Sequence, residues 1–414
     1  MLSLSESLIA TKNEFLVPCV YHFYKRPPVL VRGEGVYLFD SDGKKYLDCF
    51  SGVTVVSAGH SNPEIIKAAV DQLLLLQHTT TIYLTEPMLD LARMIAELAP
   101  GNLSRSFFCA SGTEANEGAL LLSTLVTGRN EVIYLKNGLH GRTKWAMSVT
   151  GAEMWRTDPY PLVTANVVPG PRDPASLYEI EKILKQKNVA AIIAEPIQGN
   201  GGIIVPHEDY WPSLRKLCDV YGTLLIADEI QTAWNRTGQW FATNHWNVVP
   251  DIVTVAKALG NGFPIAAYIT TDEIASYYKR PGAATFGGNL VSCRAAIATL
   301  NFHKTNELGK KSFTLGCYLK NSFLNMQKRF SLIKEIRGLG LMLGMELNDS
   351  SENIAAILTD RILEEMKDAG FLIGKTGPGR NVLTFMPPLV ITSQDLDSLT
   401  ENLCNVFENL KSKL

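Results

Sequence analysis

Apolar positions in the middle of the chain come as short β-branched runs separated by stretches with helical spacing, the pattern of a parallel sheet covered on both faces. Four runs predict strands: residues 132–135, 189–194, 223–227 and 252–256. Between the second and third, residues 209–221 place Leu214, Leu217, Cys218 and Tyr221 on one stripe, and Gly222 follows as a C′ glycine. Together these segments predict one strand-helix-strand unit. After about residue 305 the texture changes to helices separated by short strands, punctuated by Gly338, Gly340, Gly344, Gly374, Gly377 and Gly379. The last helix is expected over 393–410, with Thr392 as N-cap and the charges of Lys411 and Lys413 at its end. In the first fifty residues, Val36-Tyr37-Leu38-Phe39 and Tyr46-Leu47-Asp48 flank Asp42-Gly43 and predict a hairpin. No internal repeat is present.

These elements define an α/β protein: a large domain over 51–304 with a mostly parallel sheet, a smaller α+β domain over 305–414, and an N-terminal segment, 1–50, packing with the small domain. At 414 residues the chain is long enough for two cores. A hydrophobic fraction of 46% and a charged fraction of 19% are those of a globular enzyme. The net charge of −2 argues against a nucleic-acid partner, which needs a surplus of Lys and Arg. The seven cysteines are scattered without a C-x-x-C pair, and the seven histidines include no i,i+4 pair, so neither a disulfide framework nor a helix-borne metal site is expected. The first residues fit neither a secretory signal nor an Arg-rich transit peptide, and no run approaches the roughly twenty apolar residues of a membrane span. The cytoplasm is the expected location.

Ligands of open parallel sheets bind beyond the carboxyl ends of the strands. Three consecutive apolar runs end in reactive residues: 192–194 in Glu195, 224–227 in Asp228 and 252–256 in Lys257. Any one of them alone is more often a solvated loop residue. Gathered at one sheet edge, two carboxylates and a desolvated lysine can hold a cationic heterocycle and attack an aldehyde. Upstream, Ser111-Gly112-Thr113-Glu114 has capping-box spacing ahead of a helical run from Ala115 to Val126. Such a helix start also presents free N–H groups to a phosphate. Phosphate cradle, acid and lysine are the parts that pyridoxal 5'-phosphate requires. Asp228 is the candidate partner of the ring nitrogen, and Gln231 is placed to reach the ring hydroxyl.

The chain resembles the class III, or ω-type, pyridoxal-phosphate aminotransferases, from about Val36 to Thr392. The resemblance is carried by Ser111-Gly112-Thr113-Glu114-Ala115-Asn116-Glu117, His140-Gly141-Arg142-Thr143, Glu195-Pro196-Ile197-Gln198-Gly199, Asp228-Glu229-Ile230-Gln231-Thr232, Ala256-Lys257-Ala258-Leu259 and Thr285-Phe286-Gly287-Gly288-Asn289. It implies fold type I with a seven-stranded-type sheet. It implies that Ser111, Gly112 and Thr113 bind the phosphate, that Asp228 pairs with the ring nitrogen, that Ile230 packs on the ring and that Gln231 contacts its hydroxyl. Lys257 would form the internal aldimine, and an amino group would pass through a pyridoxamine form from an amine or ω-amino acid to a 2-oxo acid: pyruvate, glyoxylate or 2-oxoglutarate. Thr285 would reach the phosphate of a neighbouring subunit, making the protein a homodimer with its sites at the interface. His60 and Tyr83 lie in stretches that flank the substrate entrance in relatives.

Two positions depart from the family pattern. The residue before His140 is usually an aromatic that stacks on the cofactor; here it is Leu139. Many relatives carry an arginine where Thr384 stands, pairing with the equivalent of Glu195 and holding a substrate carboxylate. Arg380 or Lys375 is the expected substitute, with Arg380 serving the keto acid. Relatives that use the same cofactor site as lyases or aminomutases supply the alternative activity. A nucleotide triphosphatase reading of Asp228-Glu229 lacks its phosphate loop. A dinucleotide reading of Gly338-x-Gly340 fails because the glycines belong to a strand-like run, 339–347.

Overall fold

The computed structural model describes residues 3–162, 164–348 and 354–411. Its centre is a seven-stranded sheet, ordered from one edge as Arg105–Cys109, Ala266–Thr270, Ile252–Val255, Leu224–Asp228, Val189–Ala194, Glu131–Leu135 and Thr164–Val168. Only Ala266–Thr270 runs antiparallel to its neighbours. The other six strands therefore end at the same edge, ahead of Ser111, Leu139, Glu195, Asp228 and Lys257. Every residue of Val189–Ala194 and Ile252–Val255 is buried, which is why these strands read as unbroken apolar runs. Arg105–Cys109, Thr164–Val168 and Ala266–Thr270 lacked that signature: Ser106, Asn166 and Tyr268 interrupt them, and Thr164–Val168 is an edge strand with one buried residue.

The helix between the central strands covers Tyr210–Tyr221 and stops at Gly222, whose φ of 60° is the left-handed value a C′ glycine supplies. Tyr37–Asp40 and Lys45–Asp48 form the expected hairpin. Lys45–Asp48 then pairs in parallel with Phe371–Leu372, so the N-terminal strands share a sheet with the C-terminal part of the chain. Val36, Leu47 and Cys49 accordingly pack in one core with Leu308, Phe323 and Phe407. A separate antiparallel sheet joins Ile333–Leu339, Met342–Leu347, Val382–Phe385 and Gly374–Thr376. The run expected over 339–347 is in fact broken: Gly340 and Leu341 form a hairpin turn, with Gly340 at φ 54°, where a side chain would be strained. The last helix is Ser393–Lys411, and Thr392 caps it by accepting the Asp395 N–H at 3.2 Å. Lys413 lies outside the described residues.

Candidate active site

At the carboxyl edge of the large sheet lie two adjoining cavities, of 810 and 410 Å³. The smaller one is lined by Ser111, Gly112, Thr113, His140, Ile230 and Lys257, among others. Ser111 is extended at φ −141° and caps the helix Gly112–Thr127, its hydroxyl accepting the Glu114 N–H at 3.3 Å. The reciprocal bond of the expected capping box shifts by one residue, because Glu114 accepts the N–H of Ala110 instead. The N–H groups of Gly112 and Thr113 have no protein acceptor among the described residues, as the first turn of a helix requires of an anion site. A Cβ at Gly112 would stand 2.7 Å from Ile230 Cδ1, so glycine there lets Ile230 lie against the helix start.

Asp228 is buried and bonded to the cavity wall. Its Oδ2 accepts from His140 Nδ1 at 2.7 Å and from Asn116 Nδ2 at 2.8 Å, while Oδ1 accepts the Ile230 N–H at 3.2 Å. A carboxylate only accepts, so the His140 proton sits on Nδ1. Asn116 also donates to the His140 carbonyl at 2.7 Å and accepts from the Thr254 hydroxyl at 2.7 Å. Asn116 and Thr254 are fully buried and hold Asp228 and His140 in one orientation. Sequence reasoning passed over both, although a buried asparagine on an Ala- and Leu-rich helix face was an available signal.

Lys257 leaves its strand through a left-handed residue, φ 46°, a conformation costing a non-glycine residue about 1–3 kcal/mol and found where surrounding structure enforces it. It lines both cavities. Burial pushes its ammonium below the usual lysine value, against the pull of the Glu195 and Asp228 carboxylates. No carboxylate lies within ion-pairing distance of it among the described residues. An amine so placed is primed to lose its proton and act as a nucleophile.

Glu195 accepts the N–H groups of Leu139 and Gly199, each at 2.9 Å, and has no cation in ion-pairing distance among the described residues. Burial pushes its carboxyl up to about 7; His140 opposes the rise and Asp228 adds to it. Thr384 offers no compensation. It is fully buried in its strand, its hydroxyl has no hydrogen-bond partner among the described residues, and it lines neither cavity. A carboxyl raised on folding binds its proton more tightly in the native state, so stability falls as pH rises from about 4.5 through 7. At 1.36 kcal/mol per unit the whole change is about 3 kcal/mol. Urea melts of cofactor-free Glu195→Gln and the parent should therefore differ in the variant's favour by roughly 2–3 kcal/mol more at pH 8 than at pH 5. A difference independent of pH would refute the burial of an unpaired carboxyl.

The larger cavity extends from Lys257 and Gln231 to Lys375 and Arg380. Lys375 is buried, pairs with Asp360 and lies 5.6 Å from the ring of Phe23; Arg380 Nη2 is 3.9 Å from the same Asp360. Tyr21, Phe23, Phe50 and Trp155 supply aromatic wall, none of it foreseen from sequence. Thr285 and Tyr83 do not join this site within one chain. Both are exposed, Tyr83 at 63%, and neither lines a cavity. His60 is also elsewhere: its Nε2 meets Asp48 Oδ2 at 2.7 Å, a packing role.

The family model for class-III aminotransferases matches residues 23–407. Acetylornithine aminotransferase of Methanocaldococcus jannaschii is 39% identical over 94% of this chain and 97% of its own. Alanine–glyoxylate aminotransferase 2 homolog 2, mitochondrial, of Arabidopsis thaliana is 37% identical over 96% of this chain and 86% of its own. Among solved structures, a transaminase from the marine bacterium Virgibacillus superposes with a TM-score of 0.92 at 25% identity, covering 98% of this chain and 99% of that one. The ornithine aminotransferase of Toxoplasma gondii ME49 gives 0.90 at 28% identity, covering 100% and 97%.

Proposed function

Because the chain belongs to the class-III aminotransferases, which are pyridoxal-phosphate enzymes, we propose that it moves an amino group from an amine or ω-amino acid donor to a 2-oxo acid through a cofactor held on Lys257. The observation that carries this assignment of residues is the convergence of Lys257, Asp228 and the helix start at Ser111-Gly112-Thr113 on one sheet edge. When bound, pyridoxal phosphate supplies an aldehyde for amine capture and a protonated ring that accepts electrons from the neighbouring carbon. The free N–H groups of Gly112 and Thr113 bind its phosphate, with the hydroxyls of Ser111 and Thr113 beside them. Asp228, oriented by Asn116 and His140, holds the proton on the ring nitrogen. Ile230 packs on the ring, Gln231 contacts the ring hydroxyl, and the Lys257 amine carries the proton to and from the substrate carbon. The purified protein should show a visible absorbance band that is lost on borohydride reduction, which leaves the cofactor covalently attached, and should form alanine when given an amine donor and pyruvate. Failure to take up added cofactor would sink the assignment.

Arg380 and Lys375, which line the larger cavity, are the groups we assign to the carboxylate of the keto acid. Arg380 is half exposed, so its contribution is modest: Arg380→Ala should raise KM for pyruvate or 2-oxoglutarate about 5- to 30-fold, the 1–2 kcal/mol of one partly solvated charged hydrogen bond, with kcat little changed. An unchanged KM would remove Arg380 from the site. One observation favours a second reading, in which the same site eliminates ammonia. Glu195 lacks the arginine partner that relatives use in handling a carboxylate, and elimination needs no keto acid; ammonia release without any acceptor would support it.

The protein is further proposed to be a homodimer. Ile82, Leu84 and Phe286 are exposed apolar side chains next to Tyr83 and Thr285, and Leu74 and Leu75, each 81% exposed, end the helix Pro63–Leu75 that precedes them. A second copy covering them would bring Tyr83 and Thr285 to its site. Sedimentation should give twice 45.6 kDa. A monomer that retains full activity would exclude shared sites. No helix among the described residues is long and apolar enough to cross a membrane.

A further inference from the structure

Among the described residues three line both cavities: Lys257, Leu139 and Trp155. Leu139 stands directly before His140 and has no ring. Trp155 is the only aromatic at the junction, and its position is fixed by the backbone next to Leu139. The Gly151 and Ala152 N–H groups donate to the Gly138 carbonyl at 2.8 and 3.0 Å, and the Asn137 N–H donates to the Gly151 carbonyl at 3.1 Å. This clip joins the short helix Glu153–Trp155 to the residues immediately preceding Leu139. Beyond it, Arg156 Nη1 donates to the Tyr134 hydroxyl at 2.9 Å, anchoring the far side of the turn to the sheet strand that leads into the Leu139 loop. The indole is half-buried, and its ring centroid lies 5.9 Å from that of Tyr21, tilted by 51°.

Resting on the proposed function, we infer that Trp155 supplies the aromatic contact that Leu139 cannot. It lines the smaller cavity as well as the larger one, so one indole contacts both the cofactor and the group brought in by the amine. The physical grounds are its place at the junction and the rigidity of the clip. An aromatic pair adds roughly 0.5–1.5 kcal/mol beyond area burial. Leu139, which offers aliphatic packing alone, leaves that term unfilled at its own position. Tyr21, which lines the larger cavity beside the indole, couples the N-terminal segment to the same contact.

Three variants test this in the full-length protein with its cofactor: Trp155→Leu, Trp155→Phe, and Trp155→Leu combined with Leu139→Tyr. The readouts are the dissociation constant of pyridoxal phosphate from the apoprotein and the circular dichroism of the cofactor's visible band, with the melting temperature of the apoprotein as the folding control. Trp155→Leu should weaken cofactor retention about three- to tenfold and shrink the dichroic band, matching the loss of one aromatic contact. Trp155→Phe should stay within about twofold of the parent, and tyrosine at 139 should restore what leucine at 155 removed. A Trp155→Leu protein with parental retention and dichroism overturns the inference, as does one in which only KM for the amine moves. Should the double variant fail to fold, the leucine and phenylalanine variants decide between them. A parent protein that binds no cofactor would sink the functional reading and the role of Trp155 with it, whereas parental retention in Trp155→Leu sinks the role of Trp155 alone.

Discussion

Lys257→Ala should take up pyridoxal phosphate without a covalent bond, show no borohydride-stable attachment of the cofactor, and transaminate slower than the parent by at least the 10²–10⁴-fold that positioned proton transfer typically contributes. The loss is expected in kcat. The helix start at Ser111-Gly112-Thr113 and the Asp228 network are independent of the lysine side chain, so cofactor affinity should fall less than turnover. Folding should survive, because removing a desolvated ammonium relieves a cost of burial. Lys257→Arg is the sharper control. It keeps the charge, but a guanidinium does not deprotonate at working pH and cannot form the bond. A small primary amine added to Lys257→Ala should recover part of the rate, since the cavities beside Lys257 are wide enough to admit it. Retention of more than a tenth of parental turnover by Lys257→Ala would exclude Lys257 as the catalytic lysine.

The reach of sequence reasoning followed the physics of burial. Strands covered on both faces must be apolar throughout, so Val189–Ala194, Leu224–Asp228 and Ile252–Val255 stood out, and the reactive residues after them stood out in turn. Arg105–Cys109 was invisible for the opposite reason. Its exposed Arg105 and its polar Ser106 leave only a short apolar run, yet it delivers Ser111 to the same edge. Position along a strand is a local property, whereas the walls of the larger cavity are not. Tyr21, Phe50, Trp155 and Lys375 come from four distant segments, and no spacing rule connects them.

Thr384 shows the same limit from another side. As a missing arginine it drew attention to Glu195, whose hydrogen bonds among the described residues come from the backbone N–H groups of Leu139 and Gly199. Its own environment depended on packing that a sequence does not display: Phe50 and Thr384 both crowd Gly374, where an added Cβ would meet them at 2.2 and 2.5 Å. Thr384 is thus buried away from both cavities, whereas Lys375 and Arg380 line the larger one.

Asp228→Asn is expected to be the second most damaging substitution, for a reason visible in its hydrogen bonds. In the parent, all three neighbours donate: His140 Nδ1, Asn116 Nδ2 and the Ile230 N–H. An asparagine can offer its oxygen to the first two, but its NH₂ group then faces the Ile230 N–H, donor against donor. The larger loss is the charge. Truncating one partner of a buried, hydrogen-bonded charge pair costs about 2–5 kcal/mol. At 1.36 kcal/mol per decade this is roughly 30- to several-thousand-fold in turnover. The pH profile separates the two effects. A carboxylate keeps the ring nitrogen protonated at neutral pH; without it the nitrogen titrates at lower pH, so the activity of Asp228→Asn should rise as pH falls while the donor clash stays constant. Asp228→Glu keeps the charge but adds a methylene to a position only 3% exposed, an overpacking cost of about 1–3 kcal/mol that should lower stability more than it lowers turnover. Asp228→Asn within tenfold of the parent at pH 8, with no recovery on acidification, would show that the ring nitrogen does not depend on this carboxylate and would move the proton-holding role to another group.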